Sequence, residues 1–174
     1  DVYKRQDQDR SKWDREMIRV AEHWLRRSAM GDTISRFHLE AGIVCLHCSA
    51  DSFEATNWNA IVGHYDILMN QFPSPMYLLN RGIAKGRLGN EQKTKEAIAE
   101  LQSLESDPNL ERYPLLWCSL ADLHLQAGDQ NSATKHLRHA RALTHTDHDR
   151  SLIDKKLSDI QRNFDDPNQQ PNAL

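Results

Sequence analysis

The chain holds 174 residues, 39% hydrophobic and 27% charged, which is enough for one domain with a continuous core plus tails and too few to promise two. A net charge of −3 with a pI near 6.3 provides no global positive field for holding nucleic acid by phosphate neutralisation. No stretch approaches the roughly 18 apolar residues of a membrane span, and three cysteines, an odd number, argue against a disulfide framework and fit a reducing, cytoplasmic setting.

Asp1–Gln6 (DVYKRQ) read as a translated sequencing-adaptor remnant and are set apart from the fold. With no initiator Met, the chain is expected to be a fragment of a longer protein. Beyond that start, apolar residues recur at helical spacing rather than alternating, and glycine and proline sit mostly between such segments. The first predicted helix, about 11–29, places Trp13, Met17, Val20, Trp24 and Leu25 on one stripe and Arg15, Arg19, Glu22 and Arg26 opposite. The second, about 34–50, follows the cap candidates Asp32 and Thr33 and is expected to bury Phe37, Ile43, Val44 and Leu46.

A third helix, about 57–72, carries Trp58, Ile61, Val62, Tyr65 and Leu68 and stops before Pro73. Ser74-Pro75 opens the fourth, serine as a cap and proline at the first helical position, and Gly89 closes it. Helices five (about 91–105), six (about 110–127), seven (about 131–143) and eight (about 150–164) follow, then a polar tail over 165–174 of disordered composition.

Such a run of short-linked helices invites a search for repeats. Trp117, Leu120, Ala121, Gly128, Asp129, Ala133, Leu137 and Ala140 fall at the spacing of a tetratricopeptide repeat, in which small residues let the second helix approach the first. Helices four and five are a weaker copy, with Gly82 at the small-residue position and Gly89 at the turn. The predicted fold over 7–164 is therefore all-α, antiparallel helix pairs stacked as a short tetratricopeptide-like superhelix whose concave side serves binding rather than chemistry.

No P-loop, dinucleotide fingerprint or nucleophile elbow is present, and neither an enzyme site nor a cofactor is expected. Cys45 and Cys48 have the spacing of a half zinc site or a redox pair, but tetrahedral zinc needs two further ligands and both lie inside an apolar helix, so core packing is preferred. His136/His139 and His145/His148 are read as a solvated face near Lys135, Arg138 and Arg141. The four tryptophans are read as core anchors. Asn80-Arg81 and Asp122 interrupt apolar faces, either as buried hydrogen-bonding groups or as partner contacts.

Several segments together resemble the C-terminal helical extension, of tetratricopeptide character, of extracytoplasmic-function RNA polymerase sigma factors. Those segments are Asp7-Gln8-Asp9-Arg10 with Trp13-Asp14; Phe37, Leu39, Ala41, Ile43 and His47; Thr56, Trp58, Ile61, Tyr65, Asp66 and Leu68; Pro73-Ser74-Pro75 with Leu79-Asn80-Arg81 and Ala84; and Tyr113, Leu115, Ala121-Asp122-Leu123 and Gly128. The chain departs from the pattern at Gly82, where alanine is usual, and at Cys45 and Cys48.

The resemblance implies a parent protein that directs RNA polymerase to promoters, with this portion as a regulatory or assembly module. Its implied partners are the parent's sigma domains, through them the polymerase core, and promoter DNA only through upstream domains. Asp9, Arg10, Trp13, Asp14, His47, Tyr65, Asp66, Asn80, Arg81 and Asp122 are the motif positions expected to serve interaction. The rival expectation is a stand-alone tetratricopeptide adaptor that binds peptides or partner proteins.

Overall fold

The computed structural model describes residues 9–31 and 33–165, so 1–8, with the motif residues Asp7 and Gln8, together with Asp32 and the tail beyond Asp165, lie outside the described residues. A 3-10 turn at Arg10–Lys12 leads into eight α-helices: α1 (Arg15–Ser28), α2 (Arg36–Ser49), α3 (Trp58–Gln71), α4 (Pro75–Gly86), α5 (Glu91–Gln102), α6 (Pro114–Gln126), α7 (Gln130–Leu143) and α8 (Asp147–Asp165). The fold is all-α, with no strand among the described residues. The chain forms two compact units, one ending at Leu88 and one beginning at Gly89. Helices four and five, the weaker repeat copy, belong one to each.

In the first unit α1 packs on α2, α2 on α3 and α3 on α4. Its core is Leu39, Ile43, Ile61, Leu68 and Ala84, with Leu46, Trp58, Val62, Tyr65 and Tyr77 packed against them. Gly42 sets the approach of α2 to α3, since a Cβ there would stand 2.7 Å from Nε2 of His64. In the second unit α5 packs on α6, α6 on α7 and α7 on α8. There Leu101, Leu116, Leu120, Ala121, Ala133, Leu137 and Ala140 are buried, which places the repeat signature in the core as its spacing implies.

Local chemistry sets the helix ends. Asp14, Asn57, Asn90 and Asp129 each accept a bond from a first-turn amide. Ser74 makes no such bond, so the start of α4 rests on Pro75 alone. Helix six begins at Pro114 rather than near 110 because Leu110 and Tyr113 belong to tight turns (Leu110 N to Asp107 O 3.0 Å, Tyr113 N to Leu110 O 2.8 Å). Proline then forces Tyr113 into extended backbone, and only afterwards can the helix run. Helix eight starts earlier than expected because Thr146 Oγ1 accepts the Asp149 amide at 3.1 Å.

Gly128-Asp129 performs two tasks at once. Gly128 has φ +78° and its amide bonds to Leu125 O at 3.0 Å, while the Asp129 amide reaches back to His124 O at 2.8 Å. This pair of bonds closes α6 as a Schellman turn. Asp129 Oδ1 then accepts the Ser132 amide at 2.9 Å and opens α7.

Gly128→Ala should lower stability by about 1–2 kcal/mol in urea denaturation, through the left-handed backbone alone, since nothing lies within 4 Å of the added Cβ. Gly31→Ala, also in open space and without a left-handed φ, is the control and should change stability by less than about 0.5 kcal/mol.

Candidate functional site

The motif residues at the start of the chain form a knot on the end of α2. Arg10 is buried, and its Nη1 donates to the carbonyls of His47 (3.0 Å), Ala50 (3.2 Å) and Ser52 (2.7 Å) and lies 3.3 Å from Thr56 Oγ1. These acceptors are the exposed carbonyls of a helix C-terminus and the loop after it, where a cation is favoured. The guanidinium also lies 5.3 Å from the Trp13 ring centroid. Arg15 adds a bond to Cys48 O at 3.3 Å and an ion pair with Asp51 at 3.2 Å. Asp9 caps the 3-10 turn through Ser11, and that bond holds its carboxyl below the usual range; Asp14 caps α1 through the Met17 amide at 2.9 Å. The ring of His47 meets Trp58 edge-on at 5.3 Å.

A second set ties α2, α3 and α4 together. Tyr77 OH donates to Glu40, the rings of Tyr65 and Tyr77 are 6.4 Å apart, and Arg81 Nη1 pairs with Asp66 at 3.1 Å. Glu40 as hydrogen-bond partner, with burial second, pushes the Tyr77 hydroxyl up from its ordinary value. Asn80 is half-buried next to Arg81. In the second unit Asp122 pairs with Lys156 at 2.6 Å, joining α6 to α8. Of the two roles open to the polar residues on apolar faces, Arg81 and Asp122 thus serve intramolecular ion pairs. Asp9, Arg10, Trp13, Asp14 and His47 come together at one end of α2, Tyr65, Asp66 and Arg81 along the α3–α4 seam, and Asp122 stands in the other unit.

Cys45 and Cys48 are half-buried free thiols on α2. Burial, then the charge of Glu22 and the neighbouring Cys48, pushes the Cys45 thiol up, away from the thiolate that metal binding or redox exchange uses. Among the described residues no group of three or more His, Cys, Asp or Glu is placed to hold a metal, and no helix is long and apolar enough to cross a membrane.

Four side chains, His136, Trp24, Phe37 and Val44, depart from their sequence expectations. His136 is buried rather than solvated, because it follows Ala133 by one turn and precedes Ala140 by one turn on the face that packs against α6. There it stacks on His124 (centroids 5.2 Å) and on Trp117 (5.7 Å). His124, which sequence reasoning passed over, stands seven residues after Trp117 on the same helical face, a spacing that could have revealed it. Its Nδ1 lies 3.3 Å from Asp129 Oδ2, and its Nε2 is buried without a hydrogen-bond partner. Trp24 is 60% exposed rather than a core anchor, and Phe37 and Val44 are exposed too. The apolar arc of α1 is wider than α2 can cover, because Arg15 and Glu22 occupy the line that meets α2.

Comparison with known proteins finds no matching family model and no matching solved structure. An uncharacterised protein of Rhizobium meliloti is 34% identical over 79 residues. Those residues are 45% of this chain but 19% of the relative, so the relative is more than twice as long and the matched stretch spans about a fifth of it.

Arg10→Ala should cost about 2–3 kcal/mol in chemical denaturation, because several partly buried acceptors lose one charged donor. Acid should destabilise the second unit through His136. Burial, followed by the charges of His124, Lys135 and His139, depresses its pKa from 6.5 to about 4, so the unfolded chain binds a proton that the folded chain refuses. The stability it supports is full above about pH 6.5 and falls as pH drops towards 4, by about 2 kcal/mol between pH 7 and 5. Urea titrations across that range should show the slope in the native chain and a much flatter one in His136→Phe.

Proposed function

We propose that this chain is a non-catalytic protein-interaction module of an extracytoplasmic-function sigma factor, acting by docking on the sigma domains of the same polypeptide. The observation that carries the interaction reading is the distribution of exposed apolar side chains. Ten of the twelve large ones among the described residues, Trp24, Phe37 and Phe72 with them, lie in the first unit. A surface that concentrates such residues on one unit is a contact surface awaiting a partner. Among the described residues, the second unit exposes only Tyr113 and Leu152 to a comparable extent.

The transcriptional part of the proposal rests on the motif resemblance. Its support is that the motif positions behave as a built-in framework: Arg10 and Trp13 seal the end of α2, and Asp66 and Arg81 join α3 to α4. The longer Rhizobium relative is compatible with a module that belongs to a larger polypeptide. Tethering would supply an effective concentration in the millimolar range, so even a modest intrinsic affinity would keep such a module docked.

The test supplies the sigma domains of a factor of this type as a separate polypeptide and titrates them with the chain by calorimetry. Binding with a dissociation constant in the range of about 1–100 μM is expected, weakened about fivefold or more in Phe37→Ser/Phe72→Ser. Absence of heat up to several hundred micromolar, with the chain folded by circular dichroism, would sink the sigma-docking reading in favour of a free-standing adaptor.

A further inference from the structure

We propose that the outward face of α1 is a self-association surface, on which α1 of a second copy of this chain lies antiparallel. Helix α8 buries Ile153 and Ile160 and turns Lys155 and Ser158 outward. Helix α1 turns its apolar residues outward instead. Met17 (68% exposed), Val20 and Trp24 (60%) follow one another at i, i+3 and i+7 and form a continuous apolar stripe. The line that meets α2 is a different one, carrying Arg15, which bonds to Cys48 O, and Glu22, which bonds to Ser49.

The charges along that stripe select the occupant. Glu16 and Arg27 are eleven residues apart, three helical turns, so they stand on the same rim of the stripe about 16 Å from each other. When two identical helices pack antiparallel, each rim meets its own counterpart reversed. Glu16 of one copy then faces Arg27 of the other, and the contact occurs twice by the two-fold symmetry. Met17 of each copy meets Trp24 of the other, a sulfur–aromatic contact, and the small side chain of Ala21 allows close approach near the axis.

Both rim charges are available. Arg27 lies over its own Trp24 ring at 5.9 Å and has no ion pair among the described residues. Glu16 has only the exposed i,i+3 pair with Arg19, a contact of little strength. The stripe of one 14-residue helix is smaller than the ~800 Å² per partner of a standard interface. The dimer should therefore be weak, with a dissociation constant on the order of 10 μM.

Sedimentation equilibrium of the whole chain from about 1 to about 300 μM tests this without reference to any sigma domain. Its failure would leave the docking proposal standing, and the converse also holds. The native chain should pass from monomer to dimer, and Trp24→Ser should weaken the dimer at least tenfold. Glu16→Arg and Arg27→Glu should each weaken it about threefold or more. The double variant Glu16→Arg/Arg27→Glu has the native composition and should return to within about twofold of native, as should an equimolar mixture of the two single variants. A native chain that stays monomeric throughout overturns the proposal, as does a dimer indifferent to Trp24→Ser or a double variant no tighter than the singles.

Discussion

Seven of the eight helices are 12 to 14 residues long, a length at which an isolated helix is marginal in water. Each one therefore exists because it shares an apolar face with the helix before or after it, and the chain must reverse within a few residues to bring those faces together. The reversal between α6 and α7 shows how closely this is specified. Gly128 supplies a left-handed backbone, and Asp129 ends one helix with its amide and begins the next with its carboxylate. Ala121, Ala133 and Ala140 then let the two helices approach, so turn chemistry and packing chemistry agree in direction.

Polar residues complete what apolar packing leaves open. A helix end exposes carbonyls that need donors, and the end of α2 receives them from Arg10 and Arg15, residues that precede it by more than thirty positions. The entry segment is thereby bound to the first unit by a charge-assisted network rather than by burial of a helix face. The Asp66–Arg81 and Asp122–Lys156 pairs do the corresponding work along helix seams. Motif residues that could have been reserved for a partner are in this way occupied within the chain.

The two units handle their aromatic and imidazole groups differently. In the second, Trp117 packs against His136 and His139, and its Nε1 donates to Glu111 O at 2.8 Å, so a large ring is buried with its polar atom satisfied. The burial of His136 in that arrangement makes this helix pair sensitive to acid. In the first, Trp24 and Phe37 remain in water with an arginine over each ring, Arg27 at 5.9 Å and Arg36 at 4.7 Å. A cation over an aromatic face lessens the penalty of exposing it without removing it.

The all-α class, the number and order of the helices, and the repeat core around Trp117, Leu120, Ala133 and Leu137 were legible from the sequence, because helical periodicity and turn residues are local properties of the chain. Proline at 114 and threonine at 146 moved two helix starts by a few residues, which is also local chemistry, though finer than periodicity resolves. The candidate contact surface was not legible. Met17, Trp24, Phe37 and Val44 carry the same hydrophobic pattern as Leu39 and Ile43, and nothing in a one-dimensional pattern says which of two apolar lines on a helix a neighbour will cover. The same limit hid His136 and the position of Arg10, whose environments are made by residues far along the chain. The sequence by itself determined which segments become helices and which of their faces are apolar. Only the tertiary structure decided which of those faces are filled, because burial depends on the direction in which each neighbouring helix crosses.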